Sequence, residues 1–236
     1  MSVDTPAQGY DDSNIDGVPG GTPLLFWGAG ELDRPELGSI ARSHAGRHFE
    51  TLVREDGSVC QSMLFDPADG STLRLFTHKG YAPETTWARA QGWAIIGAAQ
   101  AAAYDPWFLP WLKTVCDWWV GHVPDDGVPP WDFGDPAPHV PVDTSASAMA
   151  AAGLLKAAVL VPDSADTYRQ LAVRTISTLI DRYLIIDPTN PPQGRLRGGC
   201  YNPHSGLPTD LELIWGDYYL LEALLAATGR LDTTLI

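Results

Sequence analysis

Two stretches of small side chains, Ala98 to Ala103 and Ala146 to Ala152, limit what this chain can fold into. Alanine favours the helix and adds little bulk, so helices built from it pack closely, as helix-on-helix layers require. The rest of the periodicity agrees. Leu37, Ile40, Ala41, Ala45, Phe49, Leu52 and Val53 recur at spacings of three and four, which predicts a helix over 36–54. Further helices are expected over 85–104, 106–123, 143–161, 164–186 and 215–228. Asp105 is placed to cap the second of these before Pro106, and Gly229 to stop the last in a left-handed turn. One more helix is expected from Thr22, with Pro23 at its first position and Gly30 near its end.

Residues 1–20 read as loop, and 124–142 and 187–210 are Pro- and Gly-rich. Residues 56–81 alternate short apolar groups with Asp-Gly and Asp-Pro turn signals, which predicts an irregular or short-stranded segment. The sum is about seven helices with little strand, in one all-α unit over 1–236. The 44% apolar content and nine Trp exclude a disordered chain. Lys plus Arg number 15 against 29 Asp plus Glu, a net charge of −14 that argues against nucleic acid and anionic membrane as partners. No apolar run reaches 18 residues, and the N-terminus lacks the basic flank and apolar core of a secretory signal, so a cytoplasmic location is the expectation. Cys60, Cys116 and Cys200 are odd in number and far apart, giving neither a disulfide framework nor a metal knuckle.

The densest cluster of unusual residues is THKGYAPETTWARAQGW, residues 77–93. His78, Lys79 and Tyr81 fall in a loop; Trp87, Arg89, Gln91 and Trp93 follow on a helix. At 100° per residue, Trp87 and Gln91 share one side and Arg89 and Trp93 another, and near a helix start both sets can face one pocket. Packing alone accounts for the two Trp residues about as well. Yet indole faces stack on sugar rings, and a guanidinium grips a carboxylate with two parallel hydrogen bonds, so the mix suits an acidic sugar. Asp16, in SNIDGVPGG, is either a turn residue before Gly17 or a general acid with a raised proton affinity. Asp143 and Asp217, each at a helix start, read as caps. Ser145 and Ser147 lack a nucleophile-elbow pattern. His44 and His48 have zinc-like spacing, but Ala45 follows the first and no third ligand appears, so no metal is expected. Gly198 and Gly199 read as a turn, with no nucleotide-binding pattern around them.

Four blocks together, IDGVPGGTPLLFW, THKGYAPETTWARAQGW, DTSASAMAAAGLL and IWGDYYLLEALL, resemble the unsaturated glucuronyl hydrolases of glycoside hydrolase family 88. The resemblance implies an (α/α)6 barrel, a ring of helix hairpins with its pocket at one end. It implies removal of a 4,5-unsaturated uronic acid from the non-reducing end of lyase-generated oligosaccharides, without a cofactor. In that family an Asp protonates C4 of the vinyl ether, and water deprotonated by the same Asp adds at C5. The hemiketal then opens and releases the leaving sugar. The scheme departs from the usual two-carboxylate glycosidase.

Carried over by position, the resemblance makes Asp16 the acid/base and Trp87, Arg89 and Trp93 the residues that stack on or hold the uronate. His78, Tyr81 and Gln91 fall in the same motif. Lys79 stands where the family has Gln, and Gln61 where it has His; both positions help place substrate and water. Lys79 is expected to pair with a substrate carboxylate or sulfate. The related unsaturated rhamnogalacturonyl hydrolases are the within-class alternative, and an inactive carbohydrate-binding or structural remnant is the alternative from another class. Family members are longer, so the resemblance implies the C-terminal portion of the barrel, about seven of twelve helices. The first helices and a second pocket Asp would precede Met1. Such an arc should be unstable, associate with itself or need a complementing N-terminal half, with weak activity alone.

Overall fold

The computed structural model describes residues 11–186, 189 and 195–233. The first ten residues of the loop expected over 1–20 lie outside them, as does part of the loop over 187–210. Among the described residues the chain forms seven α-helices and a small antiparallel sheet. In order these are β1 (Asp11–Asn14), α1 (Val18–Glu31), α2 (Pro35–Leu52), β2 (Ser62–Phe65) and β3 (Thr72–Phe76), then α3 (Ala88–Tyr104), α4 (Leu109–His122), α5 (Thr144–Leu160), α6 (Ala165–Arg182) and α7 (Ile214–Ala227). None of these helices is long and apolar enough to cross a membrane.

Where the elements differ from expectation, a local cause is visible. Helix α1 starts at Val18 rather than Thr22, because Pro19 already occupies its first turn. Pro23 therefore sits inside the helix, where it lacks the N–H that would bond back to Pro19. Residues 11–14, expected as loop, are strand: Ser13 pairs with Met63 and Asn14 with Ser62, and β2 pairs in turn with β3. Helix α3 starts at Ala88, not 85, because Trp87 is extended and bridges to Asp132. Helix α6 ends at Arg182 rather than 186, because Leu184 bridges to Leu196 and the Ile185 N–H bonds to the Arg195 carbonyl. Asp105 accepts from the Trp107 N–H and caps the 3-10 turn Pro106–Phe108, so that α4 itself starts at Leu109 rather than 106, and Gly229 takes the expected left-handed φ of 66°.

The core is centred on α5. From Thr144 to Ala158 its side chains are all buried, between α3, α6 and α7. Small residues make this possible. A Cβ added at Gly153 would lie 2.5 Å from Ile95 Cγ2, so glycine lets α5 touch α3 nearly backbone to backbone. Lys156 on α5 and Glu222 on α7 form an ion pair at 3.0 Å with both side chains buried. At the two flanks, Leu24 and Trp27 on α1 and Ile214, Tyr218 and Leu221 on α7 face solvent.

His48 ties the sheet to α2. Its Nε2 lies 2.7 Å from Ser13 Oγ and its Nδ1 lies 2.8 Å from the His44 carbonyl. Burial pushes its pKa from 6.5 down to about 4, so it is neutral in the fold at pH 7. A base whose folded pKa is lowered contributes stability that is present above its unfolded pKa and is lost as pH falls from 6.5 towards 4. The gap amounts to about 3 kcal/mol at most. The urea midpoint should therefore fall between pH 7 and pH 4.5, and His48→Gln should flatten that fall; parallel curves for the two proteins would contradict it.

Candidate active site

The site is assembled from five parts of the chain. After β1, Ile15–Gly17 makes a single 3-10 turn, and buried Ile15 pins it by donating its N–H to the Gln61 carbonyl at 2.9 Å. That turn brings Asp16 to the cavity. Its Oδ1 is out of solvent and accepts no hydrogen bond from the protein. The start of α3 contributes Trp87, Arg89 and Trp93, held by the Ala88 N–H on the Trp131 carbonyl at 2.9 Å.

The loop between β3 and α3 is clamped from below by Asp132. This fully buried carboxylate accepts from the Tyr81 N–H at 2.9 Å, the Thr85 hydroxyl at 2.7 Å and the Gly134 N–H at 2.7 Å. Burial pushes its pKa up, against the pull of these three donors. Gly80 belongs to the clamp: a Cβ there would lie 2.6 Å from Asp132 Oδ2. The loop so held brings Lys79 to the cavity, its backbone N–H donating to Gln61 Oε1 at 2.9 Å.

Asp16, Lys79, Trp87, Arg89, Trp93, Tyr201 and Trp215 line a cavity of about 180 Å³. The Arg89 guanidinium carbon lies 4.8 Å from the Trp87 ring centre and 5.3 Å from that of Trp215, and Lys79 Nζ lies 5.2 Å from that of Tyr201. Cations held against aromatic faces in this way are each stabilised by about 1 kcal/mol or more when desolvated.

Several expected roles change. Arg89, expected to stack on or hold the uronate, also has partners inside the protein, and its Nη1 makes only a long contact of 3.5 Å to the Tyr201 carbonyl. Nη2 donates to Asp143 Oδ2 at 2.7 Å and to the Cys200 carbonyl, and Nε donates to Ser145 Oγ at 2.9 Å. Arg89 therefore lines the cavity with its guanidinium already engaged by Asp143, Ser145 and the Cys200 carbonyl. Gln91 is fully buried and turned away, with Nε2 donating to the Gly57 and Val115 carbonyls at 3.1 Å each. Gln61 and His78 lie beside the cavity rather than on its wall: Gln61 supports the Lys79 backbone, and His78 Nδ1 lies 2.9 Å from Ser62 Oγ. Tyr81 is exposed. Asp143 does cap α5, accepting from the Ser145 N–H at 3.1 Å, but it is also the Arg89 partner. Asp217 caps nothing on its own helix; it accepts from the backbone N–H groups of Arg195 and Leu196 at 2.9 and 2.7 Å.

No protein-family model matches the chain. Individual relatives do. The unsaturated glucuronyl hydrolase of Bacillus sp. (strain GL1) is 38% identical over 210 residues, spanning 86% of this chain and 55% of that protein. Its crystal structure superposes with a TM-score of 0.87 at 35% identity, over 95% of this chain and 60% of that one. A variant of the unsaturated glucuronyl hydrolase from Streptococcus agalactiae, complexed with dGlcA-GalNAc6S, gives a TM-score of 0.80 at 28% identity, over 93% and 59%. This chain is similar to the unsaturated glucuronyl hydrolases over most of its own length. The seven helices of the described residues take up part of the α/α-barrel fold of those proteins. The chain spans about half the length of the curated relatives it matches.

Two cavity residues escaped the reading of the sequence as a glucuronyl hydrolase. Trp215 stands inside the IWGDYYLLEALL block, where Asp217 drew the attention, and its Nε1 donates to Ser145 Oγ at 3.2 Å. Tyr201 lies in a Gly- and Pro-rich loop, where no periodicity marks it. The available signal was aromatic identity next to an irregular segment.

Proposed function

We propose that the chain carries the acid/base side of a hydrolase that removes a 4,5-unsaturated uronic acid from the non-reducing end of lyase-generated oligosaccharides. One observation carries this reading: the unclaimed Asp16 carboxyl oxygen shares a small cavity with three indoles, a phenol, Arg89 and Lys79. A carboxyl group with no competing donor is available to the reacting carbon. In the proposed reaction Asp16 gives its proton to C4, and positive charge grows at C5 and the ring oxygen. The electron-rich faces of Trp87, Trp93 and Trp215 favour that charge and exclude stray water. Asp16, now a carboxylate, takes a proton from the water that adds at C5, and the hemiketal opens. Lys79 supports binding of an anionic group on the substrate by charge attraction. The assay is the loss of alkene absorbance when the protein meets an unsaturated uronyl disaccharide. Binding without that loss would favour a carbohydrate-binding protein.

The apolar side chains exposed on α1 and α7 support a second proposal, that these flanks are covered by association, with another copy or a complementing helical partner. Sedimentation should give a concentration-dependent mass, and replacing Leu24, Trp27 and Leu221 by Ser should abolish that dependence. A strictly monomeric parent protein would refute it.

A further inference from the structure

The hydrogen bonds behind the cavity wall form a closed set. Asp143 divides its two oxygens between two tasks. Oδ1 caps α5, accepting from the Ser145 N–H at 3.1 Å and the Ser145 hydroxyl at 2.7 Å, with the Cys200 N–H at 3.4 Å. Oδ2 faces Arg89 Nη2 at 2.7 Å. The Ser145 oxygen uses its one proton on Asp143 and its two lone pairs on Arg89 Nε at 2.9 Å and Trp215 Nε1 at 3.2 Å. Asp143, Ser145, Arg89 and Cys200 are all buried, and neither Asp143, Ser145 nor Cys200 lines the cavity. Four segments thus meet at one hydroxyl and one carboxylate: α3, α5, the stretch around Cys200 and α7. Three cavity walls depend on them, Arg89 and Trp215 directly and Tyr201 through its neighbour Cys200.

We infer that Asp143 and Ser145 are positioning residues, with Asp143 the internal counter-ion that withdraws the Arg89 charge from the substrate. Two opposite charges in contact in a buried place cancel beyond a few ångströms, so Arg89 meets the sugar as a neutralised wall. The inference rests on the proposed hydrolase reading and deepens it: the acid group of the sugar is not held by the guanidinium fork.

The test uses binding, read by tryptophan fluorescence, of an unsaturated uronyl disaccharide and of its uncharged methyl ester, alongside turnover. Asp143→Asn keeps the capping oxygen and removes the charge. It should shift the acid-to-ester affinity ratio about fivefold towards the acid, because Arg89 is then uncompensated. A purely structural role would weaken both ligands alike. Ser145→Ala keeps the charge pair and the cap; it should leave the ratio unchanged and lower kcat about tenfold through loosened walls. An unmoved ratio in folded Asp143→Asn, or a kcat for Ser145→Ala within about twofold of the parent, overturns the inference alone. If Asp143→Asn does not fold, Ser145→Ala still decides the positioning role, and Arg89→Lys decides the counter-ion role by leaving the ratio unchanged. A parent protein that neither binds nor turns over the disaccharide overturns the hydrolase reading and the inference together.

Discussion

Asp16→Asn should lower the rate of alkene loss by roughly 10²–10⁴-fold, the usual contribution of a positioned general acid and base. The substitution is close to isosteric, and Oδ1 makes no hydrogen bond with the protein that the amide would lose. The melting temperature should therefore stay within about 2 °C of the parent, less than 1 kcal/mol of stability for a chain of this size. Activity loss without stability loss is the signature of a reacting group. Because the same carboxyl is proposed to deliver one proton and receive the next, added formate or acetate should restore little of the rate. Turnover at parental rate in the variant would remove Asp16 from the mechanism.

The second large effect concerns stability. Arg89→Leu leaves the Asp143 carboxylate buried without its cationic partner, in a place where both side chains are at most 1% exposed. Breaking one side of a buried pair costs about 3–5 kcal/mol. For a chain of this length that lowers the melting temperature by roughly 6–20 °C. Replacing both partners, in Arg89→Leu with Asp143→Leu, should cost less than the sum of the two single changes, since no lone charge remains. The double variant still loses the α5 cap, worth about 1 kcal/mol. Additive losses on thermal melting would mean that the two groups do not act as a pair.

Much of this molecule is written in local patterns. Helices α2, α4, α5 and α7 follow from apolar spacing, from Asp105 and Asp143 ahead of helical runs, and from Gly229. Strand β1 does not, because Asp-Asp-Ser-Asn has no apolar alternation and becomes strand only by pairing with β2. The α1 start is hidden by two prolines four residues apart, Pro19 and Pro23, either of which can open a helix. At the site, Lys79, Trp87, Arg89 and Trp93 stand within fifteen residues of one another, so one window of sequence reveals them. Tyr201 and Trp215 come from far along the chain and are united with that window only by the fold. The internal partner of Arg89 is hidden for a related reason. Its partner Asp143 is 54 residues away, and its fork looks vacant until α5 is brought alongside α3.

The contact of Gly153 with Ile95 reaches further than packing. Any side chain at 153 must push α3 and α5 apart, and α3 begins at the cavity while α5 begins just behind its wall, on the order of 10 Å from the contact. A screen that sorts random variants by turnover alone would score Gly153 as if it touched the sugar. Thermal melts run beside the activity screen would expose the mistake, because a spacer lost between helices shows in both columns and a lost proton donor in only one.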